Sequence, residues 1–161
     1  MKWSGYVNHN SQHEQFMRMA LDEAQQALVE GNGGFGSVVV RDGNVVATGR
    51  NLANSTIDPT AHAETVAIRN AAQASGQLDL SGCTLYATFQ PCPMCCGAIL
   101  VSGVSTVVLG GRPAPGTGRH GEYTIEKLVE MVGQRERVEV VTGVLTDECD
   151  RVAATTPAHS A

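Results

Sequence analysis

Two short stretches hold residue types that do chemistry together: His62-Ala63-Glu64 and, further along, Pro91-Cys92-Pro93-Met94-Cys95. An imidazole and two thiolates suit Zn²⁺, and a catalytic zinc site uses three protein ligands so that a fourth position can hold water. Zinc lowers the pKa of such a water towards about 7, giving a nucleophile at neutral pH. Zn²⁺ is therefore the expected cofactor, with His62, Cys92 and Cys95 as metal ligands. Glu64 is too near His62 in sequence to be a comfortable further ligand. Its expected role is catalytic, as the acid and base that moves protons between water and substrate.

These residues need elements that bring them together. Cys92 and Cys95 stand at the start of a helix predicted over 93–102, so both sulfurs project from one face. The unpaired N–H groups and dipole of that helix end favour thiolate. A second helix is predicted over 61–75, with Pro59 and Thr60 as start signals and Gly76 as its stop. It places His62 and Glu64 in its first turn, and its face of Ala63, Val66, Ala67, Asn70, Ala71 and Ala74 is small enough to pack closely on a sheet. The two helix starts must meet at one end of that sheet, where ligands collect in open α/β folds. A strand over 83–89 and an apolar run at 104–109 flank the Cys helix, which implies a right-handed parallel crossover.

Upstream, Phe16, Met19, Ala20, Ala24, Ala27 and Leu28 recur at helical spacing. They predict an amphipathic helix over 11–30, with Ser11 as N-cap, Gly31 as stop and His13 facing solvent. Gly31-Asn32-Gly33-Gly34 reads as a flexible connector; it precedes a strand and lacks the following Lys-Ser/Thr of a phosphate loop. Strands over 36–41 and 44–49 join through the hairpin turn Asp42-Gly43. Residues 110–121, rich in Gly and Pro, form a loop placed to cover a site. A helix over 123–132, a strand over 138–142 and a short helix from Asp147 follow. The expectation is one domain over 1–152, with residues 1–10 a loosely docked arm and 153–161 a disordered tail.

The 161 residues are 42% hydrophobic and 17% charged, enough apolar material for a core and too little charge for a disordered chain. No apolar run reaches the ~18 residues of a membrane span, and the first residues lack a signal-peptide pattern. Five cysteines, two of them in a C-x-x-C, argue against a disulfide framework and for the reduced cytoplasm. The net charge of −5 points to a small-molecule substrate rather than nucleic acid, although Arg112, Arg119 and Lys127 could form a local basic patch.

Each motif has a competing reading. Cys-Pro-Met-Cys at a strand–helix junction also looks like a thioredoxin-type redox centre, which leaves His62 and Glu64 unexplained. A structural zinc knuckle needs four ligands, normally from two pairs, and Cys83 and Cys149 stand singly. A 92/96 pair would share a face as well, but the three-residue spacing is the commoner zinc geometry and Cys96 reads as a small buried residue.

The pattern H-x-E…P-C-x-x-C resembles the zinc-dependent nucleobase and nucleoside deaminases. The stretches 58–64 (Asp-Pro-Thr-Ala-His-Ala-Glu) and 91–99 (Pro-Cys-Pro-Met-Cys-Cys-Gly-Ala-Ile) are similar to the branch of the cytidine/deoxycytidylate deaminase superfamily that holds tRNA adenosine deaminase, bacterial guanine deaminase and fungal cytosine deaminase. The resemblance implies a three-layer α/β/α fold with a five-stranded mixed sheet, usually as a homodimer. It implies the same ligand set and proton shuttle, and a substrate contact at Asn51. Phe35, Ala61 and Gln90 complete the expected substrate-binding set. Gln90 departs from the Glu that many relatives carry before Pro-Cys, a change that bears on substrate choice. Gly34 departs from a common Pro and is expected to loosen a substrate-side loop.

Residues 137–149 resemble the corresponding stretch of the tRNA enzymes. Those continue into a basic, aromatic helix where this chain has Ala-Thr-Thr-Pro-Ala-His-Ser-Ala, and the aromatic C-terminal segments of the guanine and cytosine deaminases are likewise missing. An aromatic cap would come from Phe35, Phe89 or Tyr123. The expectation is hydrolytic deamination of a small base, nucleoside or related amino-heterocycle. Deamination of adenosine in tRNA is the alternative, and a non-catalytic zinc module, disfavoured by the intact Glu64, is the second.

Overall fold

A computed structural model describes residues 8–157, with side chains from residue 11. The element order is α1 (Asn8–Val29), β1 (Gly36–Arg41), β2 (Asn44–Arg50), α2 (Ala53–Thr56), α3 (Ala63–Ser75), β3 (Cys83–Phe89), α4 (Pro93–Ser102), β4 (Thr106–Gly111), α5 (Ile125–Met131), β5 (Glu139–Val141) and α6 (Thr146–Ala154). The strands form one mixed sheet in the order β2-β1-β3-β4-β5. β1 runs antiparallel to β2 and β3, while β3, β4 and β5 are parallel. Asp42 and Gly43 both have positive φ, 51° and 75°, as a type I′ hairpin turn requires.

Alternation along the strands divides the core in two. Val39, Leu85, Ala87, Val107 and Leu109 face α3, α4 and α5, where Ala67, Ala71, Ile99 and Ile125 meet them. Val38, Val40, Tyr86 and Val108 face the other way, onto Phe16, Met17 and Ala20 of α1 and Cys149 of α6. This is the expected three-layer α/β/α arrangement.

Two glycines set the spacing of the layers. A Cβ on Gly49 would strike the backbone of Ala63 and Ala67, and one on Gly36 would strike the backbone of Ala20 and Ala24. β2 therefore lies directly against the first turns of α3, where His62 and Glu64 are carried.

Several expectations change in detail. α1 begins at Asn8, so Ser11 lies inside the helix and is not its N-cap; of the loosely docked arm expected over 1–10, residues 8–10 are helical and residues 1–7 lie outside the described residues. His13 faces inward enough for Nδ1 to sit 2.9 Å from the Tyr86 hydroxyl. The connector at 31–34 is pinned rather than flexible. Asn32 is fully buried, and its Oδ1 accepts from the amides of Asn54 and Ser55, which explains the single-turn α2 that periodicity could not reveal. Gly34 permits a close approach instead of loosening its loop: a Cβ there would crowd Val152 O and Leu28, and its N–H donates to Thr156 Oγ1 at 3.0 Å. α6 runs through Ala154, so residues 153–157 are ordered where a tail was expected; residues 158–161 lie outside the described residues.

Gly49→Ala should lower unfolding free energy by about 2–3 kcal/mol, because neither backbone can yield to the added methyl. Denaturant unfolding of the two proteins checks this.

Candidate active site

β2 and β3 end on the same side of the sheet, and each leads into a helix start. His62 is the N-cap residue of α3 and Cys92 that of α4, with Pro93 at the first helical position behind it. Neither side chain caps its own helix. N-cap positions favour Ser, Thr, Asp or Asn, so a His and a Cys at two neighbouring ones mark a departure with another purpose. Both side chains turn towards each other, and Cys92 Sγ lies 3.6 Å from His62 Nδ1.

Cys95, in the first turn of α4 and fully buried, completes the cluster. The nitrogen and the two sulfurs all lie within 4.8 Å of one another. Tetrahedral zinc with ordinary Zn–N and Zn–S bonds needs N···S edges of about 3.5 Å, so the donor types and spacing fit that ion. The 92/95 pair is brought to the histidine; Cys96 is buried behind it, and Cys83 and Cys149 are separate buried thiols.

Between the protein groups themselves, negative charge collects at Cys92. The Cys95 thiol hydrogen-bonds to it and, together with His62, outweighs desolvation and brings its pKa down to about 4. The same contact with Cys92 raises His62. Cys95 is raised, first by its hydrogen bond to Cys92 and then by burial. Glu64 is only 7% exposed, and burial raises its pKa above the ordinary carboxylate range. A carboxyl so placed holds a proton at higher pH than an exposed one, which suits a group that must both take and return protons.

The cluster opens onto a cavity of about 370 Å³. Glu64, His62 and Cys92 form part of its wall, with Asn51, Phe35 and Gln90 around them. Asn51 is 2% exposed and its Oδ1 accepts from Ala53 N, so it also starts α2. The Phe35 and Phe89 rings pack at 5.8 Å, and Tyr123 stands in the wall as well, so all three expected aromatics are present. Ala61 is not part of the wall: it is buried, and its carbonyl accepts from Leu52 N. Ala63 and Thr156 line the cavity although neither was expected on the substrate side. Ala63 carried only a packing signal, and Thr156 gave none.

Residues 112–124 cover one side, as expected of the Gly/Pro-rich loop, though β4 claims Gly110 and Gly111. The covering segment is fastened to the turn between β3 and α4 that leads into Cys92. Tyr123 Oη donates to Pro91 O at 2.8 Å, Ile125 N donates to Gln90 Oε1 at 3.3 Å, and Gln90 N donates to Gly111 O at 2.9 Å. The local basic patch is largely neutralised. Arg112 pairs with Glu126 at 2.9 Å and Lys127 approaches Glu122 at 3.9 Å; of the three cations only Arg119 lacks a carboxylate partner among the described residues.

Residues 10–111 match the family described as the cytidine and deoxycytidylate deaminase zinc-binding region. The chain belongs to that family. Deaminases of this kind are hydrolytic enzymes of nucleobases and nucleosides, with zinc as cofactor. This deaminase is 39% identical over 139 residues to the tRNA-specific adenosine deaminase of Bacillus subtilis, covering 86% of this chain and 84% of that one. It is 47% identical over 88 residues to the guanine deaminase of the same organism, covering 54% and 56% respectively. A solved structure from work on A-to-I editing by tRNA:A34 deaminases at the wobble position aligns with a TM-score of 0.73 at 32% identity, over 86% of this chain and 98% of that one. No helix among the described residues is long and apolar enough to cross a membrane.

Removing the hydroxyl in Tyr123→Phe frees the Pro91 carbonyl that precedes Cys92. Zinc affinity should fall by about tenfold while the fold persists, as outer-shell substitutions commonly do. Competition with a chromophoric chelator measures it.

Proposed function

We propose that this deaminase hydrolyses the amino group of a free nucleobase, nucleoside or related amino-heterocycle, with Glu64 as the catalytic acid and base. The observation that carries the reading is the nearly buried Glu64 carboxyl in a cavity wall shared with the His62, Cys92 and Cys95 cluster. Zinc held by those three residues would supply the Lewis acidity that makes a water nucleophilic near neutral pH. Glu64 takes one proton from the attacking water and gives it to the ring nitrogen, then takes the second from the new hydroxyl and gives it to the departing amine as the C–N bond breaks. The net change is water plus a C–NH₂ group giving a ring C=O and ammonia. Asn51 and Phe35 share the wall of the substrate cavity with the 112–124 loop, which limits access of bulk water.

The small-substrate preference rests on that covering loop and on the paired cations Arg112 and Lys127, whose carboxylate partners weaken a phosphate-binding surface. Adenosine in tRNA is the second reading. It is favoured by the length over which tRNA adenosine deaminases align with this chain, 84% and 98% of the two relatives described above. The proposal includes a homodimer, consistent with the exposed apolar Met94 and Val101 on α4, and a reducing cytoplasm that keeps the thiol ligands available. A non-catalytic role is disfavoured by the intact carboxyl.

Zinc-loaded protein should release ammonia from at least one of guanine, cytosine, adenine, their nucleosides or amino-triazines. Silence across that panel, with inosine formed in a tRNA anticodon stem, would overturn the small-substrate reading. Glu64→Ala should retain zinc and lose about 10²–10⁴-fold in kcat, the usual contribution of a proton shuttle. Cys92→Ala should lose the metal and melt at lower temperature, checked by metal analysis and calorimetry.

A further inference from the structure

We propose that Gln90 selects substrates bearing a ring carbonyl, by offering its side-chain NH₂ as a hydrogen-bond donor to that oxygen. This rests on the small-heterocycle reading above and adds the class of heterocycle. The position of the amide is fixed from both ends. Its backbone N–H is bound to Gly111 O at 2.9 Å, and its Oε1 accepts from Ile125 N at 3.3 Å. An amide nitrogen cannot accept from an N–H, so this contact also decides which end of the side chain is oxygen.

Ile125 N belongs to the first turn of α5, where backbone amides have no partner inside the helix. Thr124 Oγ1 accepts from Lys127 N, and Gln90 Oε1 takes the amide two residues before it. The oxygen therefore has a structural task. The NH₂ end has none: it makes no hydrogen bond to protein among the described residues, and it is not among the buried polar atoms left unsatisfied. It is accessible, and the residue lines the cavity.

A Glu at this position, the residue the family resemblance would lead one to expect, could accept from Ile125 N through one oxygen in the same way. Its second oxygen would then accept where Gln90 donates. The amide and the carboxylate thus present opposite hydrogen-bonding partners to the cavity from one unchanged scaffold. A donor in the wall favours an oxo group; an acceptor favours an amino group in the same place. Sites that hydrogen-bond a substrate group discriminate strongly because the mismatched ligand leaves a polar group unpaired.

Two ligand pairs differ only in that group and its coupled ring tautomer: cytosine against 2,4-diaminopyrimidine, and guanine against 2,6-diaminopurine. Equilibrium binding to zinc-loaded Glu64→Gln protein needs no turnover, so it is separable from the ammonia-release panel that tests the reaction. With Gln90 in place, the oxo member of at least one pair should bind about tenfold or more tightly than its amino partner. In the Gln90→Glu protein, which keeps an acceptor for Ile125 N and should melt no lower, that ratio should fall by at least about tenfold. Gln90→Leu should erase the oxo preference without creating an amino one, and it serves if the Glu variant misfolds. Equal weakening of both members in the variants would assign Gln90 a purely structural role and overturn the proposal. So would no oxo preference with Gln90 present, or no binding of any of the four ligands.

Discussion

The site depends on how closely α3 can lie on β2. A side chain at position 49 would hold the helix off the sheet, because its Cβ would occupy the space of the Ala63 and Ala67 backbone. With glycine there, and with alanines on the facing helix surface, the helix start is lowered to the end of the sheet at which β3 delivers Cys92. A metal site tolerates little error in ligand position, so backbone-to-backbone contact is a better spacer than flexible side chains. The unusual smallness of the α3 face thus serves the geometry of the site as much as the core.

The remaining walls are built by polar contacts with similar rigidity. Asn32, fully buried, gathers the amides at the start of α2 and so holds the loop between β2 and α3. Hydrogen bonds from residues 123–125 to Gln90 and Pro91 tie the covering loop to the turn between β3 and α4. Neutral hydrogen bonds hold these walls in place, while Arg112, Arg119, Glu122 and Lys127 add charged groups to the lining beside His62, Glu64 and Cys92. Burial raises Glu64, with no Arg or Lys partner to reverse the effect.

Much of this was legible in the residues. Apolar alternation and turn chemistry located the strands, and β3 and α4 fall where the pattern placed them. That His62, Cys92 and Cys95 could gather into a possible metal site was readable, because metal chemistry demands particular atoms at particular spacings. What escaped depends on long-range contact. Asn32 among glycines looks like a flexible linker until Asn54 and Ser55 are seen beside it, and Gly34 looks permissive until Val152 is placed against it. Ala61 adjoins the motif yet points its backbone to Leu52 rather than to the cavity. Thr156 belongs to the wall only because α6 returns across the sheet, a fact of topology that no local pattern carries.

The hydrogen bond between Gly34 and Thr156 joins early and late parts of the chain across one wall of the cavity. All four groups of the chemical centre lie between positions 62 and 95, and the strands and helices that support them are synthesised well before Thr156 emerges. During vectorial synthesis the amino-terminal elements can begin to associate first, whereas this contact must wait for the loop spanning most of the chain to close. Assembly of the ligand cluster and completion of the substrate wall are thereby separated in time. A nascent chain could acquire its metal before it is able to enclose a substrate.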